Sequence, residues 1–255
     1  MISLVVPTVN NKDLTLVNIR TLDAYLARHF NKYEIVLVED GSRPSEAVDP
    51  TDLPSSVFFI RLEKNCGKGQ AVREGIAVTR GDCCLFTDID LPYDLEAIPF
   101  VYELIVDKGL NAVVGDRTLT DSVALSWTSW FRRVVSRLFS KFITLFVIGG
   151  IFDFQCGFKA FSGHLARDLF PLIKINGFGF DVEIFYLLLK NNIMIKKIPV
   201  RLRNATNSTV APLRHGLQMI LAAFKMMIDF KSGRYDVSRL KRLENVRYWE
   251  WPHLK

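Results

Sequence analysis

Short apolar runs and amphipathic stretches alternate along the chain from Ile2 to Gly115. Ile2–Val6 is an apolar run closed by Pro7, the pattern of a buried strand. Leu14, Val17, Leu22, Leu26 and Phe30 recur at helical spacing, which predicts a helix over 13–30. Glu34–Val38, Val57–Leu62, Cys83–Thr87 and Ala112–Gly115 read as further strands. Helices are expected over Gln70–Thr79 and Asp94–Val106. Strands that alternate with helices predict an α/β fold with a mostly parallel, doubly wound sheet.

In such sheets ligands bind at the carboxyl ends of the strands. Three polar clusters fall at expected strand ends: Pro7–Asn11, Glu39–Ser42 and Asp88–Asp90. The second half has a different texture. Arg133, Arg137 and Lys141 stand four apart within 128–147, amid Trp130, Phe131, Val134, Val135, Leu138 and Phe142. Within 213–230, Leu217, Ile220, Leu221, Phe224 and Ile228 form one stripe. Both segments read as basic amphipathic helices suited to a membrane surface; packing on the sheet is the plainer alternative. The expected division is a catalytic domain over 1–212, followed by an amphipathic helix and a charged tail over 213–255.

The composition fits a packed globular chain. Of 255 residues, 49% are hydrophobic and 19 are Phe, enough for a sizeable core. A net charge of +6 admits a phosphorylated substrate or an anionic membrane as readily as an ordinary solvated surface. Cys66, Cys83, Cys84 and Cys156 form no CxxC pair, so reduced thiols are expected rather than zinc or disulfides. His29, His164, His215 and His253 are too scattered for a metal set. The opening MISLVVPTVN reads as a strand rather than a signal peptide. The longest nearly uncharged apolar stretch, Phe142–Phe152, is well short of the ~20 residues of a spanning helix. A cytoplasmic protein without transmembrane helices, peripheral on a membrane, is the expectation.

Asp88-Ile89-Asp90 is the strongest chemical signal. Alternate side chains of a strand point the same way, so two carboxylates two apart can address one hard cation. Mg²⁺ or Mn²⁺ takes few carboxylates and completes its shell with phosphate oxygens and water. An Asp pair that caps a turn is the competing reading. Glu39-Asp40-Gly41-Ser42 could accept hydrogen bonds from a base or ribose, or simply form a turn. Gly67-Lys68-Gly69 lacks Walker spacing; it is either a phosphate-facing turn or a tight strand-to-helix connection.

The ordered motifs PTVN, VEDGS, NCGKGQAVREGI, FTDIDLP, GDR, DFQCGFKAF and GFGFDVEIFY resemble the family 2 inverting glycosyltransferases over roughly residues 2–230. The subgroup is similar to polyprenyl-phosphate sugar transferases, especially dolichyl-phosphate glucosyltransferases and, less closely, dolichyl-phosphate mannose synthases. The resemblance implies a glycosyltransferase A-type fold, a Mg²⁺ or Mn²⁺ cofactor, a nucleotide-diphosphate sugar donor and a polyprenyl-phosphate acceptor on the cytoplasmic leaflet. No nucleic-acid partner is implied, and the oligomeric state is open.

Carried onto this sequence, the resemblance assigns Pro7, Thr8, Glu39 and Asp40 to the nucleoside. Asp88 and Asp90 take the metal and diphosphate, and Lys68 and Arg203 join the donor site. Arg117, Arg132, Ser136 and Asp153 face the acceptor phosphate, with Asp90 and Arg117 nearest the chemistry, and the Gln155–Lys159 run falls with Asp153 in the acceptor loop. Asp181 and Glu183 are expected to orient backbone groups or arginines rather than to react. The chain departs from the family pattern at Val9, Asn11, Glu39 and Pro92. Pro92 stands where mannose synthases carry a metal-binding Gln, so an extra water is expected on the metal. Rival readings are a family 2 enzyme with a non-lipid acceptor, a nucleotidyltransferase, and a non-catalytic nucleotide-sugar-binding adaptor.

Overall fold

Seven strands form one sheet in the order β3-β2-β1-β4-β6-β5-β7. The computed structural model describes residues 1–119, 122, 147, 153–202 and 212–241, with the backbone alone for 212–218. The strands are β1 (Ile2–Thr8), β2 (Tyr33–Asp40), β3 (Val57–Leu62), β4 (Cys83–Phe86), β5 (Ala112–Asp116), β6 (Lys159–Ser162) and β7 (Ile195–Pro199). β1 is buried along its whole length, as a central strand covered on both faces must be. All pairings are parallel except those of β6, which runs antiparallel between β4 and β5.

Helices cover both faces. α1 (Lys12–His29) and α3 (Ala97–Val106) pack Ile19, Leu22, Leu26, Ile98 and Val101 onto one face, against Leu4, Val6 and Leu37. The other face carries α2 (Lys68–Ala77), α4 (Gly163–Leu169), α5 (Phe180–Lys190) and α6 (Pro212–Lys231). Its core centres on Phe86, whose ring is 5.8 Å from that of Phe180 and 6.2 Å from that of Phe170. A last short helix, α7 (Ser238–Lys241), adds the buried Leu240.

The expected elements of the first half are all present, with shifted ends. β2 continues to Asp40 because Glu39 and Asp40 still pair with Arg61 and Leu62 of β3. These two acids therefore lie in the strand, and the turn starts at Gly41. α6 seats Met219, Ala223 and Met226 in the core and leaves Leu221, Phe224 and Ile228 exposed. The expected helix over 128–147 lies outside the described residues, apart from Val147. Among the described residues no helix is long and apolar enough to cross a membrane.

Candidate active site

The carboxyl ends of β1, β2 and β4 lie side by side, so the loops after them share one edge of the sheet. Pro7 and Thr8 end β1 opposite Val38 and Glu39. Thr8 is buried and shares a 2.7 Å hydroxyl hydrogen bond with Thr15 of α1. The next loops clasp each other: Asn10 N–H donates to Ser42 Oγ at 2.9 Å, and Arg43 N–H to Asn10 Oδ1 at 2.8 Å.

Glu39 and Asp40 hold protein groups. The Val48 amide donates to Glu39 Oε1 at 2.9 Å, and Arg61 Nε to Oε2 at 2.6 Å. Glu39 is 1% exposed. Asp40 accepts the amides of Cys66 and Gly67, one on each oxygen, at 2.7 and 2.8 Å. Asp40 thereby fixes the Gly-rich turn that opens α2. That turn needs glycine: Gly67 sits at φ 102, and a Cβ on Gly69 would fall 2.5 Å from the Ile175 carbonyl.

The turn delivers Lys68 to the carboxylate pair. Lys68 Nζ lies 2.5 Å from Asp88 Oδ1. Burial opposes the charge on this lysine, but Asp88 and Asp181 hold its pKa above the ordinary value. The Asp-Ile-Asp segment is pinned from α1, where Asn18 Nδ2 donates to the Ile89 carbonyl at 2.7 Å. Leu91 follows in the left-handed region at φ 44, a strain of the kind stored at functional sites. Gly157 packs beneath Asp88 so closely that a Cβ would fall 2.9 Å from its Cγ.

A second cluster forms after β5. Arg117 grips Asp153 with Nε at 2.9 Å and a terminal guanidinium nitrogen at 2.6 Å, and its own amide adds a third bond at 2.7 Å. This is the two-pronged geometry that suits guanidinium to carboxylate. Burial alone would raise the Asp153 pKa, yet Arg117 holds it below the usual range. The Arg117 side chain is still 39% exposed, so one side can meet another anion. Asp116 caps the turn instead, accepting the Thr118 amide at 2.8 Å.

A buried ion pair that sequence reasoning missed runs behind Lys68. Lys159 of β6 is fully buried, with Nζ 2.8 Å from Asp181 Oδ1 and a further bond to the Cys156 carbonyl. Its ammonium lies 5.4 Å from the centre of the Phe86 ring. Burial pushes the Asp181 carboxyl up, and Lys159 and Lys68 only partly counter it. The charges thus alternate from core to surface: Lys159, Asp181, Lys68, Asp88. Glu183 does orient backbone, accepting the Lys174 and Ile175 amides at 3.0 and 2.8 Å, with Tyr235 hydroxyl as a further donor. Asn18 was likewise not singled out from sequence. Arg132, Ser136 and Arg203 lie outside the described residues.

The donor set suits a hard divalent cation. Asp88 and Asp90 offer carboxylate oxygens, and the Asp88 side chain is 35% exposed at the strand end. Among the described residues no group of three or more His, Cys, Asp or Glu is placed to hold a metal ion. Two carboxylates leave most positions of such an ion to phosphate oxygens and water, as a metal–diphosphate site requires.

Comparison with known proteins agrees with this architecture. The model of Glycosyl transferase family 2 matches residues 3–170. A dolichyl-phosphate beta-glucosyltransferase of Dictyostelium discoideum is 36% identical over 214 residues, which are 80% of this chain and 65% of that protein. The human dolichyl-phosphate beta-glucosyltransferase is 27% identical over 270 residues, covering 95% of this chain and 79% of its own. The chain therefore spans about two thirds of the length of the Dictyostelium relative. Among solved structures, mannosyl-3-phosphoglycerate synthase from Rubrobacter xylanophilus superposes with a TM-score of 0.67 at 19% identity, covering 92% of this chain and 76% of that one. Glucosyl-3-phosphoglycerate synthase from Mycobacterium tuberculosis, in complex with Mn²⁺, UDP-glucose and phosphoglyceric acid, gives 0.61 at 17%, covering 89% and 79%. At such identities these two speak for the glycosyltransferase A-type fold alone. With two thirds of its length matched by the family model, the chain belongs to glycosyl transferase family 2.

Proposed function

We propose that the protein transfers a hexose, glucose first among candidates, from a UDP- or GDP-linked donor to a polyprenyl phosphate such as dolichyl or undecaprenyl phosphate, with inversion. One observation carries the reading. Two phosphate-competent clusters, Lys68 with Asp88 and Arg117 with Asp153, follow β-strands of a family 2 sheet. The names of the relatives supply the sugar and the lipid acceptor. Mn²⁺ and UDP in the complexes of the structural neighbours support a divalent cofactor, Mg²⁺ or Mn²⁺.

The acceptor would be its own nucleophile. A phosphate monoester has a second pKa near ~6 and is largely dianionic at neutral pH, so no strong general base is needed. One of its oxygens forms a bond to the anomeric carbon as the bond from that carbon to the diphosphate oxygen breaks. The electron pair leaves with the nucleoside diphosphate. A bound divalent cation would supply charge neutralisation on that leaving group. Asp88 and Asp90 would hold the cation, and Lys68 would add a donor to the diphosphate. Arg117, aimed by Asp153, holds the acceptor phosphate against its repulsion from the donor. Arg132 and Ser136 are proposed for the same phosphate, Arg203 for the donor, and Pro7, Thr8, Glu39 and Asp40 for the walls of the nucleoside site. The exposed Leu221, Phe224 and Ile228 of α6 support attachment to a membrane surface, for which the cytoplasmic side is proposed.

The test is direct. Purified protein with Mn²⁺, a panel of UDP- and GDP-sugars and a polyprenyl phosphate should release nucleoside diphosphate only when the lipid phosphate is present. Release that is indifferent to the lipid, or that follows a soluble acceptor, refutes the acceptor assignment.

A further inference from the structure

We propose that Lys68 competes with the divalent cation for Asp88, with the buried Asp181 as its second anionic partner, so that metal and nucleoside diphosphate bind with strong mutual dependence. The proposal rests on the metal–diphosphate reading above and adds an order to it.

The contact itself creates the competition. Lys68 Nζ lies 2.5 Å from Asp88 Oδ1, so a dication at the same carboxylate must displace the ammonium or sit beside it. Like charges at such range repel strongly even in a watery environment. Within the Asp88–Asp90–Lys68 group the two carboxylates are offset by one ammonium, which leaves a single net negative charge for an incoming dication. Position 92, two residues after Asp90, is proline and offers no side-chain ligand.

A diphosphate resolves the conflict. It brings oxygens for the metal and a second anion for Lys68, so the ammonium can leave Asp88 without losing its partner. The lysine has little freedom to avoid the site. Its backbone is fixed by Asp40, which binds the Cys66 and Gly67 amides, and by Gly69, packed on the Ile175 carbonyl. On its inner side stands Asp181, buried and already engaged by Lys159 at 2.8 Å. Asp181 acts through Lys68, so it is a positioning residue rather than a catalytic one. It supplies Lys68 with a second anion and thereby weakens the hold of Lys68 on Asp88.

The experiment titrates Mn²⁺ onto the full chain, followed by the loss of the free-ion electron paramagnetic resonance signal, with and without UDP. UDP should tighten Mn²⁺ binding by about tenfold or more in the wild type, and Mn²⁺ should tighten UDP by the same factor. Lys68→Gln should bind Mn²⁺ alone about fivefold tighter or better, bind UDP alone more weakly, and show a smaller coupling between the two. Lys68→Arg should stay close to wild type. Asp181→Asn should bind Mn²⁺ alone more weakly, because Lys68 is left with Asp88 as its main partner; a purely structural role for Asp181 predicts no such opposite pair of shifts. If Asp181→Asn does not fold, Lys68→Gln decides. Mn²⁺ binding tightened by UDP to the same degree in wild type and Lys68→Gln overturns this proposal and leaves the metal site standing. No Mn²⁺ binding by the wild type even with UDP overturns both.

Discussion

Gly157→Ala is the most exacting probe of the Asp88 geometry, because it adds a single methyl group and removes no charged or polar side chain. The new Cβ would fall 2.9 Å from Asp88 Cγ. Asp88 Oδ2 would be nearer still, at 2.1 Å; non-bonded heavy atoms sit about 3.5 Å apart, so the carboxylate must retreat by roughly 1 Å or more. A misplacement near 1 Å at a reacting centre costs on the order of 10²-fold in rate. The fold should tolerate the change better, since Asp88 is partly exposed and can give way; overpacking of this kind costs about 1–3 kcal/mol. The assay is lipid-phosphate-dependent release of UDP or GDP, alongside thermal melting and Mn²⁺ binding in the presence of UDP. Gly177→Ala, where a Cβ would meet nothing within 4 Å, serves as the control and should match the wild type. Turnover by Gly157→Ala within threefold of wild type would refute the reasoning that Asp88 is held in place by contact with residue 157.

Further expectations follow from the same geometry. Asp90→Ala should abolish transfer while the melting temperature stays within a few degrees; near-normal turnover would remove Asp90 from the metal site. Lys159→Met should cost about 3–5 kcal/mol in urea unfolding, because it strands a buried Asp181 charge, and Lys159→Met with Asp181→Leu should recover most of the loss. Asp153 is held at a low pKa by Arg117, so its contribution to stability is present above the unfolded carboxylate value near ~3.9 and is lost as pH falls through the lower folded value. The melting-temperature gap between wild type and Asp153→Asn should be widest at neutral pH and close in acid; a gap that grows on acidification contradicts the assignment. Glu39→Ala should destabilise the protein by about 1–3 kcal/mol, since it leaves the buried Val48 amide unpaired; an effect confined to donor binding would contradict the structural role.

The alternating half of the chain was legible because period alone marks a doubly wound sheet, whereas the Asp88-Ile89-Asp90 pair falls beyond β4, which ends at Phe86, in a turn rather than in the strand whose alternation first suggested it. What stayed hidden depended on partners remote in sequence. Lys159 was placed in the acceptor loop by resemblance, but it is buried in the four-residue β6, which Asp181, 22 positions away, allows. Asp40 reads as a turn residue or a base ligand, and its bonds to Cys66 and Gly67 appear only when β2 and the Gly-rich turn come together. Glu39 was assigned to the nucleoside by resemblance, but its two oxygens face Val48 and Arg61. The constraint on Gly157 carries no signal in a single sequence, since it is the empty volume where a Cβ would meet Asp88. The resemblance named Arg117 and Asp153 for the acceptor phosphate, and the structure joins the two in an ion pair.

The central claim is that this family 2 chain places its sugar on a lipid phosphate. The most direct measurement incubates the purified protein with Mn²⁺ and glucose-labelled UDP-glucose, with and without dolichyl phosphate, and follows label into the organic phase. The account predicts lipid-phosphate-dependent transfer that is lost in Asp90→Ala. Label that stays in the aqueous phase while UDP is released equally with and without the lipid would contradict it.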